Sequence, residues 1–142
     1  MIQGLFNLIT VAPLVVWISM ILFPKTLFTQ RMIMSYWIYI VFGALYALLA
    51  LAFLATEFNL TGLDLNSLKQ MLSSDWGLLA LWTQLMSFNL FIAVWIFRDA
   101  KYWGIKTLPY LLLAFLAAPL GLAIYLFIRQ RKSKKDPIRT LN

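Results

Sequence analysis

Four stretches of this chain carry no Lys, Arg, Asp or Glu: about Leu5 to Phe23, Tyr36 to Ala55, Trp76 to Phe97 and Leu108 to Ile128. Each is close to the roughly 20 apolar residues that a helix needs to cross about 30 Å of hydrocarbon. A lone apolar segment in lipid can satisfy its backbone N–H and C=O groups only by coiling into a helix. The pattern predicts an all-α fold, a four-transmembrane-helix integral membrane bundle. Of the 142 residues, 63% are hydrophobic and 12% charged, against roughly 45–50% and 25% in soluble domains. A soluble domain this small could not hide so much apolar surface. The chain belongs in a bilayer.

The connections are short except for residues 56–75, in which Ser67–Leu72 reads as one or two amphipathic turns at the membrane surface. None is long enough for a soluble unit, so 1–142 reads as one membrane domain ending in a basic tail, 129–142. The first stretch lacks a basic leader and a small-x-small cleavage site before Pro24, and is expected to be a retained span. Trp37, Trp76 and Trp103, with Tyr36, Tyr102 and Tyr110, lie near span ends, where aromatic belts form. Val16-Trp17-Ile18 echoes Val94-Trp95-Ile96, which reads as chance likeness between apolar helices.

Four crossings would put the N-terminus, 56–75 and the tail on one side, with Lys69, Arg129, Arg131, Lys132, Lys134, Lys135 and Arg139. Lys25, Arg31, Arg98, Lys101 and Lys106 would lie on the other side. Glu57, Asp64, Asp75 and Asp136 dilute the first group, so the two orientations are nearly balanced by the positive-inside rule. The density of the tail favours a cytoplasmic tail.

The chain has no Cys and no His. That excludes thiol chemistry, disulfides, Cys/His zinc sites, His-ligated haem and any His-dependent triad. Only five acidic residues exist, so paired-carboxylate catalysis has little raw material and no metal site is expected. A net charge of +7 would point a soluble protein towards nucleic acid. Here the basic residues flank apolar segments, and anionic lipid headgroups are the expected partner instead. Arg129, Arg131, Lys132, Lys134 and Lys135 are the headgroup candidates, at about 1 kcal/mol of attraction each.

Polar groups within the spans are functional candidates by default. The third span holds Thr83, Gln84, Ser87 and Asn89; the first three share a face, while Asn89 lies about 140° round from Gln84. Interhelical hydrogen bonding is one reading. The other is a lining for the polar end of a lipid-like ligand, or a pigment ligand through the Gln84 or Asn89 carbonyl. In the fourth span, Pro119 and Gly121 within AAPLG read as a packing notch or kink. Arg98-Asp99-Ala100-Lys101 reads as a local ion pair at the interface, with Asp99 also the one acid on its side able to hold a cationic group.

Two stretches, WTQLMSFNLFIAVWIFRDAKYWGI and PYLLLAFLAAPLGLAIYLFIR, together with LFNLITVAPLVVWISMILFPKTLFTQRMIMSYW at the start, resemble the abscisic-acid-deficient-four-like family. The resemblance covers nearly the whole chain and is best at Pro24, Thr29, Phe88, Leu90, Phe91, Trp95, Asp99, Pro119, Gly121 and Tyr125. The plant founder of that family is required to make the xanthophyll neoxanthin. The family's third span usually reads His-Tyr-Leu-Ala-Phe-Asp-Leu-Phe-Val-Gly-Arg-Trp. Here Gln84, Asn89 and Val94 stand at the His, Asp and Arg positions, so each ionisable group is neutral. The resemblance implies a membrane protein of a thylakoid or bacterial inner membrane, with a carotenoid or chlorophyll as ligand. It leaves two expectations. One is a divergent, non-catalytic member that binds carotenoid, pigment or lipid, or serves as a small subunit of a larger, photosynthetic membrane complex. The other is a membrane carotenoid isomerase or xanthophyll-forming enzyme. The candidate ligand or packing residues are Gln84, Ser87, Asn89, Trp95, Asp99, Pro119 and Gly121.

Overall fold

The structure is a computed structural model that describes residues 2–56 and 65–135. Glu57, Asp64, Asp136 and Arg139 lie outside these residues, as does the side chain of Lys135. Among the described residues there are seven α-helices and no strand: α1 Ile2–Leu22, α2 Leu27–Met34, α3 Trp37–Thr56, α4 Leu65–Ser73, α5 Asp75–Trp103, α6 Leu108–Leu116 and α7 Ala118–Lys135. Three of them, α1, α3 and α5, are long and apolar enough to cross a membrane. Large apolar side chains stand outward along them, among them Leu8, Val15, Leu48, Leu51 and Phe88. In water these would be a liability; acyl chains are their natural solvent.

The described residues form two compact units, Met1–Val15 with Arg31–Phe88, and Val16–Gln30 with Asn89–Asn142. The first is built around Ile9, Phe42, Leu49, Leu79 and Ala80, with Phe6, Trp82 and Met86 packed against them. Phe6 stacks on Trp82 at 5.5 Å. The Trp82 indole N–H donates to Thr10 Oγ1 at 2.9 Å, which satisfies the one polar atom of that ring. The amphipathic turns expected at Ser67–Leu72 are present as α4, whose last residues sit tightly on the start of α5. A Cβ at Gly77 would fall 2.2 Å from the Met71 carbonyl oxygen.

In the second unit, α1 gives way at Phe23-Pro24 to a polar turn. Thr26 caps α2, its Oγ1 accepting from the Thr29 N–H at 3.4 Å. The fully buried Thr29 hydroxyl reaches Phe23 O at 2.8 Å, and the Gln30 amide donates to Pro24 O at 2.9 Å. At the far end of α5, Gly104 adopts φ +60°. Its N–H bonds Lys101 O and the Ile105 N–H bonds Ala100 O at 2.8 Å, the paired closure of a Schellman cap.

The fourth expected span, 108–128, is not a single helix. It breaks at Ala117, which is extended (φ −152°, ψ 93°), and the chain folds back on itself. Three contacts fix the pairing. A Cβ at Gly121 would lie 2.4 Å from the Ala114 backbone nitrogen. The rings of Tyr110 and Tyr125 are 5.4 Å apart. Lys132 Nζ donates to Gly104 O at 2.8 Å. As one partner advances along the chain the other recedes, the signature of an antiparallel hairpin. In a continuous helix Tyr110 and Tyr125 would be about 22 Å apart. Pro119 lacks the N–H that would bridge back to Phe115, and its ring would clash with that carbonyl, so a helix through this point is disfavoured. Ala114, Ala117, Ala118 and Gly121 are small enough to let the two arms meet backbone to backbone. Pro13 breaks nothing; α1 runs through it, and no small-residue seam follows it.

Gly121 should therefore tolerate no side chain. Gly121→Val is expected to lower the thermal midpoint of the detergent-solubilised protein by several degrees, about 1–3 kcal/mol of overpacking. Gly43→Ala, in α3 with nothing within 4 Å, should leave the midpoint unchanged or raise it slightly. Equal effects at both positions would contradict the hairpin seam.

Candidate functional site

The hairpin delivers Tyr125 to α5. Tyr125 is fully buried, and its hydroxyl donates a short hydrogen bond to Asp99 Oδ2. One turn further along α7, Arg129 Nε lies 2.8 Å from the same oxygen, an ion pair whose N–H is not aligned for a hydrogen bond. Aromatic rings wall this cluster. Trp95 meets Tyr125 edge to face at 5.8 Å, and the Arg129 guanidinium lies 6.0 Å from the Trp95 ring and 5.5 Å from that of Trp103. A guanidinium stacked on rings and paired with a carboxylate is held in place on several sides. On α1, Trp17 packs edge to face on Phe115 of α6 at 5.5 Å.

The local pair expected within Arg98–Lys101 is replaced by this longer-range one. Asp99 turns to Arg129 and Tyr125, while Lys101 donates to Pro24 O at 3.0 Å and lies 4.3 Å from the Phe97 ring. Arg129, read from the sequence as a headgroup ligand, has Asp99 as its first partner. Of the other tail cations, Lys132 is tied to Gly104 O, and Arg131 lies 4.3 Å from the Phe127 ring. The Trp103 indole N–H is buried without a hydrogen-bond partner among the described residues.

The structure separates the other candidates from this cluster. Thr83 is buried and donates back to Leu79 O of its own helix at 2.8 Å, not to a neighbouring helix. Gln84 is exposed, and Ser87 and Asn89 are half-buried; none of their side chains hydrogen-bonds to another described residue. Gln84 and Phe88, four residues apart, share one exposed face of α5. Pro119 and Gly121 act at the hairpin turn. Sequence reasoning missed Tyr125 and Arg129 as partners of Asp99. The only sequence trace was the run of resemblance through Trp95, Asp99 and Tyr125, which gave no hint that the intervening chain doubles back.

Seven helices and no strand among the described residues, with three helices of membrane-crossing length, mark a membrane protein. Residues 4–125 match the ABA4-like family, described as ABA DEFICIENT 4-like, and the chain belongs to that family. No curated protein and no solved structure matches it. The positions that carried the resemblance gather largely in the second unit: Pro24 and Thr29 form the α1–α2 turn, Pro119 and Gly121 the hairpin turn, and Trp95, Asp99 and Tyr125 the clamp between them.

If the clamp is a coupled unit, its members will not act additively. The Asp99 and Arg129 side chains are 16% and 37% exposed. A double-mutant cycle through Asp99→Ala and Arg129→Ala should give a coupling of about 1–2 kcal/mol, below the range for fully buried pairs because Arg129 is partly exposed. Tyr125→Phe should cost about 1 kcal/mol. Additive effects, measured by unfolding in mixed micelles, would reduce the clamp to coincidental proximity.

Proposed function

We propose that the protein is a non-catalytic, multi-pass member of its family that binds a carotenoid, or a pigment or lipid of similar shape, along the outer face of α5. The observation that carries this reading is the fate of the ionisable groups. Gln84, Asn89 and Val94 are neutral, and the one carboxylate of the helix beyond its first residue, Asp99, is engaged by Tyr125 and Arg129. Rearranging an epoxide needs a proton donor and an acceptor near the reacting carbons. Neither amide supplies one at ordinary pH. Asp99 lies about 15 Å along the helix axis from Asn89.

Binding has better support. Gln84 presents an amide with no hydrogen-bond partner among the described residues, on a face shared with the exposed ring of Phe88. An amide facing acyl chains has no hydrogen bond to make. A ligand with a hydroxyl, carbonyl or metal-bearing head and a long apolar body would satisfy it and lie along that ring. Were the ligand a chlorophyll, the Gln84 carbonyl oxygen would be the group to hold its metal. At the other end of α5, Trp103 and the tail cations suit an anionic lipid headgroup, and attachment to a larger membrane complex would use the same outward faces.

Expression in a carotenoid-accumulating host followed by purification in mild detergent tests the reading. Pigment should copurify, and Gln84→Leu with Phe88→Ala should reduce pigment per protein several-fold without changing yield. Leu48→Ala, on the exposed face of α3, should have no effect. Neoxanthin formed from violaxanthin above an empty-membrane control would overturn the non-catalytic reading in favour of a xanthophyll-forming enzyme.

A further inference from the structure

We infer that α6–α7 is a re-entrant hairpin, so that the chain crosses the bilayer three times rather than four and its tail shares one face with the α1–α2 and α5–α6 connections. The direction of α7 is the deciding observation. Along α5 the partners of α7 advance together: Trp95 meets Tyr125, Asp99 meets Tyr125 and Arg129, and Trp103 meets Arg129. Helix α7 therefore runs parallel to α5. A fourth crossing would run antiparallel to it and would carry Arg129 to the opposite face, about 30 Å from Asp99.

The lengths agree. Helix α6, Leu108–Leu116, spans about 13 Å, less than half the hydrocarbon thickness. Its turn would sit near the midplane, where unpaired backbone groups are costly. The turn limits that cost with its own bonds. The Ala117 N–H donates to Leu113 O at 2.8 Å, the Ala117 carbonyl accepts from the Gly121 N–H at 2.9 Å, and Pro119 has no N–H to leave unpaired. Ala118 and Gly121 are buried.

Charge then falls into place. With three crossings, Lys25 and Arg31 of the first connection, Arg98, Lys101 and Lys106 around the end of α5, and the cations of 129–134 all lie on one face. The hydrogen bonds from Lys101 to Pro24 O and from Lys132 to Gly104 O hold those segments at the same end. Every Lys and Arg among the described residues is on that side except Lys69. The near balance of the four-crossing arrangement becomes a strong bias, and the positive-inside rule makes that face cytoplasmic. The tail keeps its expected cytoplasmic side, and the N-terminus moves across the membrane from it. This composite basic surface is matched to anionic lipid headgroups of the inner leaflet.

The inference rests on the multi-pass reading above, which resistance to carbonate extraction tests separately. Because the chain has no cysteine, Gln70→Cys, Lys106→Cys and Gln130→Cys each report one exposed position to a membrane-impermeant maleimide. In sealed vesicles of known orientation, Lys106→Cys and Gln130→Cys should label from the cytoplasmic face, and Gln70→Cys from the opposite one. Labelling of Gln130→Cys from the same side as Gln70→Cys would establish a fourth crossing and overturn the hairpin. Side-specific reporters fused to either terminus of the full chain give a second readout, independent of the cysteine variants. Termini on opposite sides agree with three crossings, and termini on the same side overturn them.

Discussion

The backbone contact between Ala114 and Gly121 is the constraint on which the second unit depends. With no side chain at Gly121, α7 can lie directly on α6, and the chain that would otherwise continue away from α5 returns to it. Tyr125 and Arg129 then arrive, one turn apart, beside Asp99. A single straight helix from Leu108 would place Arg129 about 30 Å from its start. The carboxylate would be left at the end of α5 with only its own neighbours. The seam therefore determines which residues Asp99 can meet.

The clamp returns support to the seam. Hairpins of short helices are marginal in isolation, because a nine-residue helix forms few bonds for the entropy it loses. Here Tyr125 buries its ring between Trp95 and Tyr110, and its hydroxyl is satisfied by Asp99, so no polar atom of that side chain is left unpaired in an apolar setting. The edge-to-face geometry adds to the burial. Small residues allow the close approach, and large aromatics a turn further on fill the space beside it. The contacts of Lys101 with Pro24 O and Lys132 with Gly104 O then tie the surrounding turns to the same end of α5.

Much of the fold was readable because apolar length is a direct physical requirement. The expected stretches 5–23, 36–55 and 76–97 correspond to α1, α3 and α5, and the amphipathic turn at 67–72 to α4. Helix ends moved by only a few residues, except at α5, which runs on through Arg98 and Lys101 to Trp103 because charged side chains at a helix end reach the interface without ending the helix. Helix α2 went unseen: LFTQRMIM is too short and mixed to announce itself. The hairpin was hidden for a different reason. Both of its arms are apolar on nearly all sides, so hydropathy reads 108–128 as uniform, and Pro119 looks no different from Pro13. What distinguishes them is the run of small residues around Pro119, which makes folding back favourable. Asp99 was noticed for its charge, but its true partners lie 26 and 30 residues away. No spacing rule reaches that far.

The same separation lets this chain keep its family's framework whatever side chain stands at Gln84. The residues that build the turn, the seam and the clamp act on protein neighbours, and a change at any of them would leave a cavity, a clash or an unpaired charge. Gln84 points outward from α5, where no group among the described residues pairs with it. An ionised side chain facing lipid is costly, and one found there marks a reaction or a bound group that depends on it. An outward amide with no hydrogen-bond partner among the described residues is the residue most in need of one from outside the chain. That is why Gln84, rather than the better-connected Asp99, is the place to look for a ligand.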